Sequence, residues 1–124
     1  MKKPTVLIVD TDEHSRLLLE ETLQSFSEHS NNYQLLSTSS GKEAINFCHK
    51  YKIELIFTEI YLKDMDGWQL TQKIKELYPS IPIIIQTSVI TDDIAQKMWE
   101  SGADSYLPKP IDIYEMQKKV ENIL

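Results

Sequence analysis

Four side chains that could handle a charged ligand follow directly after short apolar runs in this 124-residue chain. They are two carboxylates, a hydroxyl and an ammonium: Asp10, Glu59, Thr87 and Lys109. Such a set can hold a divalent cation through its oxygens, or a phosphoryl group. It can also form a Lys-Glu ion pair without any ligand, or simply consist of strand-end side chains that reach water. The residue types alone leave these alternatives open.

The apolar runs alternate with segments of helical periodicity along the whole chain. Runs of aliphatic and β-branched residues predict five strands, at 5–9, 33–38, 55–59, 83–87 and 105–107. Cap and turn residues mark the predicted helix ends, namely Asp12, the cluster Ser39-Ser40-Gly41, Asp66, Gly102 and Asp112. The (βα) unit repeated five times predicts a five-stranded parallel doubly wound sheet of flavodoxin-like type, with helices on both faces.

An apolar stripe in each of the first four helices predicts which residues face the sheet. The first helix is expected to run to about Glu28, and the fourth is expected to begin at Thr91 or Asp92. The predicted inward residues are Leu18, Leu19, Thr22 and Phe26 in the first helix, Ala44, Ile45 and Cys48 in the second, Leu70, Ile74 and Leu77 in the third, and Ala95 and Met98 in the fourth.

The composition is that of one globular domain over residues 1–124. Hydrophobic residues make up 41% and charged residues 26% of the chain, which is ordinary for a soluble protein. A net charge of -6 without a cluster of Lys and Arg argues against nucleic-acid binding. The apolar run near the start is too short for a signal peptide or membrane span, and the single Cys48 fits a reducing compartment. We therefore expect a cytoplasmic protein that binds neither nucleic acid nor membrane.

In a doubly wound sheet of this kind, the third strand can lie between the first and the fourth, with the fifth beside the fourth. Because ligands bind at the carboxyl ends of parallel strands, the four side chains are expected to converge at one edge. The strand ends thus predict one site for a charged group.

The sequence resembles the receiver domains of two-component response regulators over nearly its whole length. The resemblance lies in VLIVD before an acidic segment, a carboxylate that ends the third strand ahead of MDG, IIIQTS, and GADSYLPKP. Receivers accept a phosphoryl group from a histidine kinase onto an Asp, using Mg²⁺ held by that Asp, an acidic pair and one backbone carbonyl. The resemblance implies a non-enzymatic module whose partner is a histidine kinase, a phosphotransfer domain or an output domain.

Position by position, the resemblance assigns a role to each residue of the site. The acceptor falls on Glu59 and the acidic pair on Asp10 and Thr11. The metal-binding carbonyl falls on Tyr61, the switch hydroxyl on Thr87, the switch aromatic on Tyr106 and the phosphate-binding lysine on Lys109. Two positions depart from the family's pattern, because Glu59 replaces the acceptor Asp and Thr11 replaces the second acid.

Both departures affect the chemistry of the site. The extra methylene of Glu59 moves its carboxylate about 1.5 Å farther from the backbone. Such a displacement can cost phosphoryl transfer on the order of a hundredfold, since this reaction depends on positioning. Asp12 can replace the missing acid or cap its helix. We expect weak Mg²⁺ binding by Asp10, Glu59 and the Tyr61 carbonyl, and a Lys109 to Glu59 ion pair in its place.

These features predict a pseudo-receiver, which is not phosphorylated at the usual site and acts through protein-protein interaction. The alternative is a working receiver, in which Glu59 or a neighbouring acid, Asp64 or Asp66, accepts the phosphoryl group with Mg²⁺. Glu59 could also mimic a phosphorylated acceptor, since it carries a negative charge toward the place of the phosphoryl oxygens. A flavodoxin-type small-molecule binder is disfavoured, because no phosphate-binding loop follows the first strand.

Aromatic residues near the end of the chain are candidates for an interface. Trp99, Tyr106 and Tyr114 belong to the predicted fourth helix, fifth strand and fifth helix. In receivers this face binds partners or a second copy, and Trp and Tyr are common anchors of interfaces. A homodimer through this face is therefore one candidate assembly, and half-buried aromatics at a helix edge are the ordinary alternative.

Overall fold

The computed structural model describes residues 3–26 and 33–124, which form one five-stranded parallel sheet with helices on both faces. The strands are β1 (Thr5–Val9), β2 (Gln34–Thr38), β3 (Leu55–Thr58), β4 (Ile83–Thr87) and β5 (Ser105–Pro108). The helices are α1 (Glu13–Ser25), α2 (Gly41–Lys50), α3 (Gly67–Leu77), α4 (Ile94–Ser101) and α5 (Ile113–Ile123). The strand order β2-β1-β3-β4-β5 confirms the predicted doubly wound sheet.

Two apolar layers hold the helices against the sheet. Side chains alternate between the faces of a strand, so the odd and even residues of one strand enter different layers. One layer joins the sheet to α1 and α5, and it includes Val6, Ile8, Leu19, Leu23, Phe57, Ile84, Met116 and Val120. The other joins the sheet to α2 and α3, and it includes Leu7, Val9, Ala44, Cys48, Ile56, Leu70, Ile74 and Ile83. Burial on both faces explains why the strands are nearly continuous apolar runs.

The predicted caps fix most of the helix ends. The side chain of Ser40 accepts a hydrogen bond from the Glu43 N–H at the start of α2, and Asp66 forms a reciprocal capping box with Gln69 at the start of α3. Gly102 ends α4 with a φ of 84°, a left-handed conformation that glycine adopts without strain.

The fourth helix begins later than predicted. It starts at Ile94 and not at Thr91 or Asp92. The Thr91 hydroxyl donates to the carboxylate of Asp93, which occupies the N-cap position. Within the described part of the chain, that carboxylate accepts no bond from the first helical turn. The helix therefore begins only after this local turn.

Three residues predicted to face the sheet are exposed, so these predictions were wrong. Leu18 is exposed because Leu19, Thr22 and Leu23 form the buried stripe of α1 instead. Ala95 is exposed because the inward positions of α4 are taken by Ile94, Met98 and Ser101. Leu77 lies in the last turn of α3, where the chain leaves the sheet. Successive residues of a helix differ by about 100° in direction, so a stripe placed one residue off turns a side chain outward.

The predicted end of the first helix at Glu28 lies outside the described residues; α1 ends at Ser25. None of the helices in residues 3–26 and 33–124 combines the length and apolar character that a membrane crossing needs.

Candidate functional site

The carboxyl edge of the sheet places the predicted site residues on neighbouring strands. Asp10 follows β1 and Glu59 follows β3, and these two strands pair with Val9 opposite Thr58. The Glu59 N–H donates to the Val9 carbonyl at 2.9 Å, which sets the two carboxylates beside each other. From the end of β5, the Lys109 N–H donates to the Thr87 carbonyl at 2.8 Å. Backbone pairing therefore brings both acids and the lysine to one edge.

The ammonium group of Lys109 joins both carboxylates. Its Nζ lies 2.7 Å from Asp10 Oδ2 and 3.1 Å from Glu59 Oε1. Only 9% of the Asp10 side chain and 12% of the Glu59 side chain are exposed. The predicted Lys109 to Glu59 ion pair is thus present, and Asp10 shares the same ammonium. We refer to Asp10, Glu59 and Lys109 as the carboxylate–lysine cluster.

The protonation of Lys109 depends on its two acidic partners. Burial is the largest single influence and works against the charged form of this lysine. The hydrogen bonds and charges of Asp10 and Glu59 together outweigh it and raise the pKa of Lys109 above its ordinary value. The lysine is therefore held in its charged form between the two carboxylates.

Backbone groups satisfy the remaining carboxylate oxygens of the cluster. The Asp12 N–H donates to Asp10 Oδ1 at 2.9 Å, and the Ile60 N–H donates to Glu59 Oε2 at 2.6 Å. Each of the four carboxylate oxygens thus accepts a hydrogen bond from the protein. The guanidinium of Arg16 brings a second cation to this edge, because its Nη1 donates to the backbone carbonyl of Asp10 at 2.6 Å. The cluster is a closed network of charges and hydrogen bonds.

The donor set does not fit a magnesium site as it stands. Mg²⁺ requires oxygen ligands in near-octahedral geometry, whereas the ammonium of Lys109 binds one oxygen of each acid. Thr11, which is exposed, brings no charge to the pair. In residues 3–26 and 33–124, no three His, Cys, Asp or Glu side chains are grouped as metal ligands would be.

Asp12, which the sequence offered either as an acid of the pocket or as a helix cap, caps α1 in the structure. Its carboxylate accepts hydrogen bonds from the Ser15 hydroxyl at 2.8 Å and the His14 N–H at 3.3 Å. These bonds, chiefly that from Ser15, lower the pKa of Asp12 and cap α1. Asp12 is thus used to begin the helix, the second of the two roles that the sequence left open.

Thr87 and Tyr61, to which the resemblance assigns the switch hydroxyl and the metal-binding carbonyl, lie at the end of β4 and after β3 without joining the cluster. Thr87 is fully buried, and its Oγ1 accepts a hydrogen bond from the Val89 N–H at 3.1 Å. Among the described residues, that hydroxyl makes no bond to Glu59. Tyr61 is 62% exposed, and its backbone forms an isolated bridge with Asp66.

The three interface candidates lie on the predicted elements. Trp99 on α4 is 84% exposed and Tyr114 on α5 is 65% exposed, whereas Tyr106 on β5 is half-buried. Ile113 adds a further exposed apolar side chain beside Tyr114. Trp99, Ile113 and Tyr114 therefore present aromatic and apolar side chains to solvent.

Sequence reasoning missed the structural role of Asp64, which it named only as an alternative acceptor. The Asp64 carboxylate accepts hydrogen bonds from the N–H groups of Gly41 and Lys42, each at 2.9 Å, and from the Ser40 hydroxyl at 3.1 Å. These backbone bonds, from Lys42 first and then Gly41, lower the pKa of Asp64 to about 2. Asp64 thus ties the β3–α3 loop to the start of α2. No local pattern could reveal a contact between residues so far apart in sequence.

Replacement of Asp64 by Ala is expected to lower the free energy of unfolding by about 1 kcal/mol at neutral pH, the usual contribution of a helix cap. The pKa shift alone would suggest more, but this exposed group is screened by solvent. Because folding lowers its pKa from 3.8 to about 2, the contribution is present above pH 3.8 and is lost as the pH falls through 2. Urea denaturation of both proteins across this range measures the difference.

The matched control is Asp92→Ala, which removes an exposed acid from the β4–α4 loop. Its effect should stay within about 0.5 kcal/mol. If the two variants lose the same stability, or if the Asp64 effect persists at pH 2, Asp64 does not hold the loop in the way described.

Comparison with known proteins agrees with this architecture. Residues 6–121 match the family model described as the response regulator receiver domain. The chain is 33% identical over 106 residues to the sensor histidine kinase RcsC of Escherichia coli (strain K12), covering 86% of this chain and 11% of that protein. It is 34% identical over 120 residues to the response regulator protein VraR of Staphylococcus saprophyticus, covering 94% and 56%.

Among solved structures, a two-component response regulator from Clostridium difficile superposes with a TM-score of 0.87. It is 30% identical, and the match covers 98% of this chain and 95% of that one. The chain spans only about a tenth of the RcsC protein and about half of VraR. The match to the family model over nearly the whole chain, with the shared fold, shows that this chain belongs to the response regulator receiver domain family.

Proposed function

We propose that this domain is a pseudo-receiver, a signalling module that is not phosphorylated at the usual site and acts by binding a protein partner. The observation that carries this proposal is the engagement of Glu59. Its Oε1 bonds to the Lys109 ammonium and its Oε2 bonds to the Ile60 N–H. A carboxylate that accepts a phosphoryl group must present an oxygen in line with the leaving group, and here both oxygens are held by the protein.

The charge of the pocket supports the same proposal. Three acids beside one lysine would carry a net charge of minus two and attract Mg²⁺. The cluster of Asp10, Glu59 and Lys109 carries only minus one, and Arg16 lies against the Asp10 backbone. Metal ions supply much of the charge stabilisation in phosphoryl transfer, so a pocket that binds Mg²⁺ weakly is a poor site for that reaction.

The position of Thr87 favours a fixed conformation over mimicry of the phosphorylated state. Mimicry would require Thr87 or Lys109 to bond the Glu59 carboxylate; Lys109 does so, whereas Thr87 Oγ1 accepts a bond from the Val89 N–H. A single ion pair supplies only part of the several kcal/mol that a conversion between two states needs. These contacts support a domain that partners bind irrespective of a phosphorylation signal.

The expected partner is a protein of the same signalling class. Similar proteins include a sensor histidine kinase and a response regulator. We propose a histidine kinase, a phosphotransfer domain or an output domain, bound in the cytoplasm through the face that carries Trp99, Tyr106 and Tyr114. A second copy bound through this face is the alternative. The exposure of Trp99 and Tyr114 supports this choice of surface.

Intact mass after incubation with Mg²⁺ and acetyl phosphate tests the proposal. The native protein is expected to gain no phosphoryl group. The double variant Glu59→Asp with Thr11→Asp restores the family's acids and is expected to gain one, because the resemblance assigns the phosphate-binding lysine to Lys109 and the switch hydroxyl to Thr87. The single variant Glu59→Asp separates the effect of the acceptor from that of the second acid.

Mg²⁺-dependent labelling of the native protein would show that it is a working receiver instead. Peptide mapping would then locate the phosphoryl group among Glu59, Asp64 and Asp66. Labelling that EDTA does not abolish would indicate nonspecific acylphosphate chemistry, so a sample with EDTA belongs in each series.

A further inference from the structure

A cavity of about 470 Å³ lies at the amino edge of the sheet, the edge away from the carboxylate–lysine cluster. It is lined by the first residues of two neighbouring strands, Thr5 of β1 and Gln34 of β2, and by Glu54, which precedes β3. The backbone holds these strand starts together, because the Glu54 N–H donates to the Thr5 carbonyl at 2.9 Å. The sheet therefore provides a fixed floor for this cavity.

Three lysines contribute to the lining of the cavity. Lys50 ends α2 and Lys52 follows two residues later, whereas Lys3 comes from the segment before β1. With Glu54, these lysines give the lining a formal charge of plus two, in a chain whose net charge is -6. The fold thus assembles a cationic site from segments that are far apart in the sequence. We refer to this cavity, with Lys3, Lys50 and Lys52, as the lysine pocket.

The ammonium groups of the lysine pocket are available to a ligand. All three lysines are exposed. Within residues 3–26 and 33–124, none of them lies within ion-pair distance of a carboxylate, and the ion pairs present there use Lys75 and Lys109. Like charges held at one surface repel each other, so a bound anion would lower their mutual repulsion.

The end of α2 explains only part of this arrangement. The last carbonyl groups of a helix carry a partial negative charge, which favours a lysine at the position of Lys50. Lys50 also lies over Tyr51, with its Nζ 5.5 Å from the ring centroid. Lys52 lies beyond the helix, and Lys3 comes from another part of the chain. The helix end therefore does not account for the meeting of all three lysines at one cavity.

The neutral groups of the lining indicate what kind of anion fits. The Thr5 hydroxyl donates to Gln34 Oε1 at 3.3 Å, so the amino group at the other end of this amide is the part that can donate to a ligand. Tyr51 is 37% exposed and adds an aromatic wall. A phosphate monoester has a charge of about -1.5 to -2 and three acceptor oxygens, which suits several ammonium groups beside an amide donor. The volume is typical of small-molecule sites.

We propose that the lysine pocket binds a small organic phosphate monoester, whose phosphate group contacts Lys3, Lys50 and Lys52 and whose organic part contacts the Tyr51 ring. The five residues of β1 separate this pocket from Asp10 by about 16 Å. Binding therefore requires no phosphorylation of the domain, and this ligand-binding function does not rest on the pseudo-receiver proposal.

Titration with phenyl phosphate at neutral pH and low salt, followed by ¹H–¹⁵N NMR, tests the pocket. We expect saturable shifts of the backbone amides of Thr5, Tyr51 and Lys52, with a dissociation constant of about a millimolar, because each exposed ion pair contributes little. Dimethyl phenyl phosphate has the same ring without the negative charge and should not bind. Absence of saturable shifts with phenyl phosphate, or equal binding of the neutral ester, would overturn the proposal.

Variants without lysine charges separate the pocket from the general charge of the protein. Lys50→Gln with Lys52→Gln should weaken phenyl phosphate binding by about tenfold, since two ion pairs are lost. Lys73→Gln with Lys97→Gln removes the same charge from exposed positions of α3 and α4, and this matched control should leave the affinity unchanged. Equal weakening in the two double variants would show nonspecific attraction and contradict the assigned site.

A phosphoserine peptide distinguishes a free compound from a phosphate carried by a protein. Both ligands offer the same phosphate chemistry, but only the free compound fits wholly within the lysine pocket. We therefore expect the peptide to bind no more tightly than phenyl phosphate. A peptide that binds more than about tenfold tighter would assign the pocket to a phosphorylated protein partner and overturn the small-molecule proposal.

Discussion

Replacement of Lys109 by Met is expected to lower the free energy of unfolding by about 3 kcal/mol at neutral pH, because it leaves two buried carboxylates without a cation. Asp10 Oδ2 and Glu59 Oε1 lie 2.7 and 3.1 Å from Lys109 Nζ, and both acids are almost inaccessible to water. Loss of the ammonium would leave like charges next to each other on paired strands. Urea denaturation at pH 7 measures the effect.

A second substitution distinguishes repulsion between the acids from loss of packing. The double variant Lys109→Met with Glu59→Gln removes one of the two charges, so it should recover about half of the lost stability. Lys73→Met on the exposed side of α3 is the control and should stay within about 0.5 kcal/mol of the native protein. A loss below about 1 kcal/mol for Lys109→Met would contradict a closed charge network.

Alkaline pH should weaken the cluster reversibly. Burial opposes the charge on Lys109, but the bonds from Asp10 and Glu59 raise its pKa above the ordinary value of 10.5. The contribution of the cluster is therefore complete below pH 10.5 and is lost as the pH rises through the raised pKa. The stability difference between the native protein and Lys109→Met should shrink over that range.

Replacement of Gly67 by Ala is the second change with a large expected effect. A Cβ at Gly67 would lie 2.2 Å from the carbonyl oxygen of Glu59 and 3.0 Å from the Ile60 Cα. The Gly67 N–H also donates to the Ile60 carbonyl at 2.6 Å, so the start of α3 is bound tightly to the segment after β3. Because backbone atoms meet the new methyl group, the β3–α3 loop must move, and we expect a loss of about 3 kcal/mol.

Gly41→Ala offers a matched comparison at the start of another helix. Its Cβ would meet the side chain of Met65 at 2.6 Å, and this flexible side chain can move aside. We expect a loss of about 1 kcal/mol in urea denaturation. Similar losses for the two alanine variants would show that backbone contact with Glu59 does not decide the cost at Gly67.

The convergence of Asp10, Glu59 and Lys109 could be predicted because it follows from the topology. Strict alternation of strands and helices places the carboxyl ends of β1, β3 and β5 at one edge, whatever the detailed packing. The Lys109 to Glu59 ion pair followed from charge and position. Whether the Lys109 ammonium also bonds Asp10 depends on the conformation of the lysine side chain, which the sequence does not specify.

The contacts that could not be predicted join residues far apart in sequence or depend on side-chain direction. Asp64 bonds to the start of α2, Arg16 bonds to the carbonyl of Asp10, and the lysine pocket joins the segment before β1 to the end of α2. Leu18 was predicted to face the core from the spacing of the apolar stripe in the first helix, and the rotation of α1 leaves it exposed. The periodicity of apolar residues predicts that a helix forms, whereas tertiary packing sets the rotation of the helix about its own axis.

We propose that the ammonium of Lys109, which bonds both Asp10 and Glu59, takes the place of a metal ion between these two acids. Titration of the native protein with Mg²⁺, followed by the backbone amide signals of Thr11, Ile60 and Tyr61, tests it most directly. We expect no saturable shift at millimolar Mg²⁺, whereas the double variant Glu59→Asp with Thr11→Asp should show saturable shifts at these amides. Saturation of the native protein at submillimolar Mg²⁺ would contradict the claim.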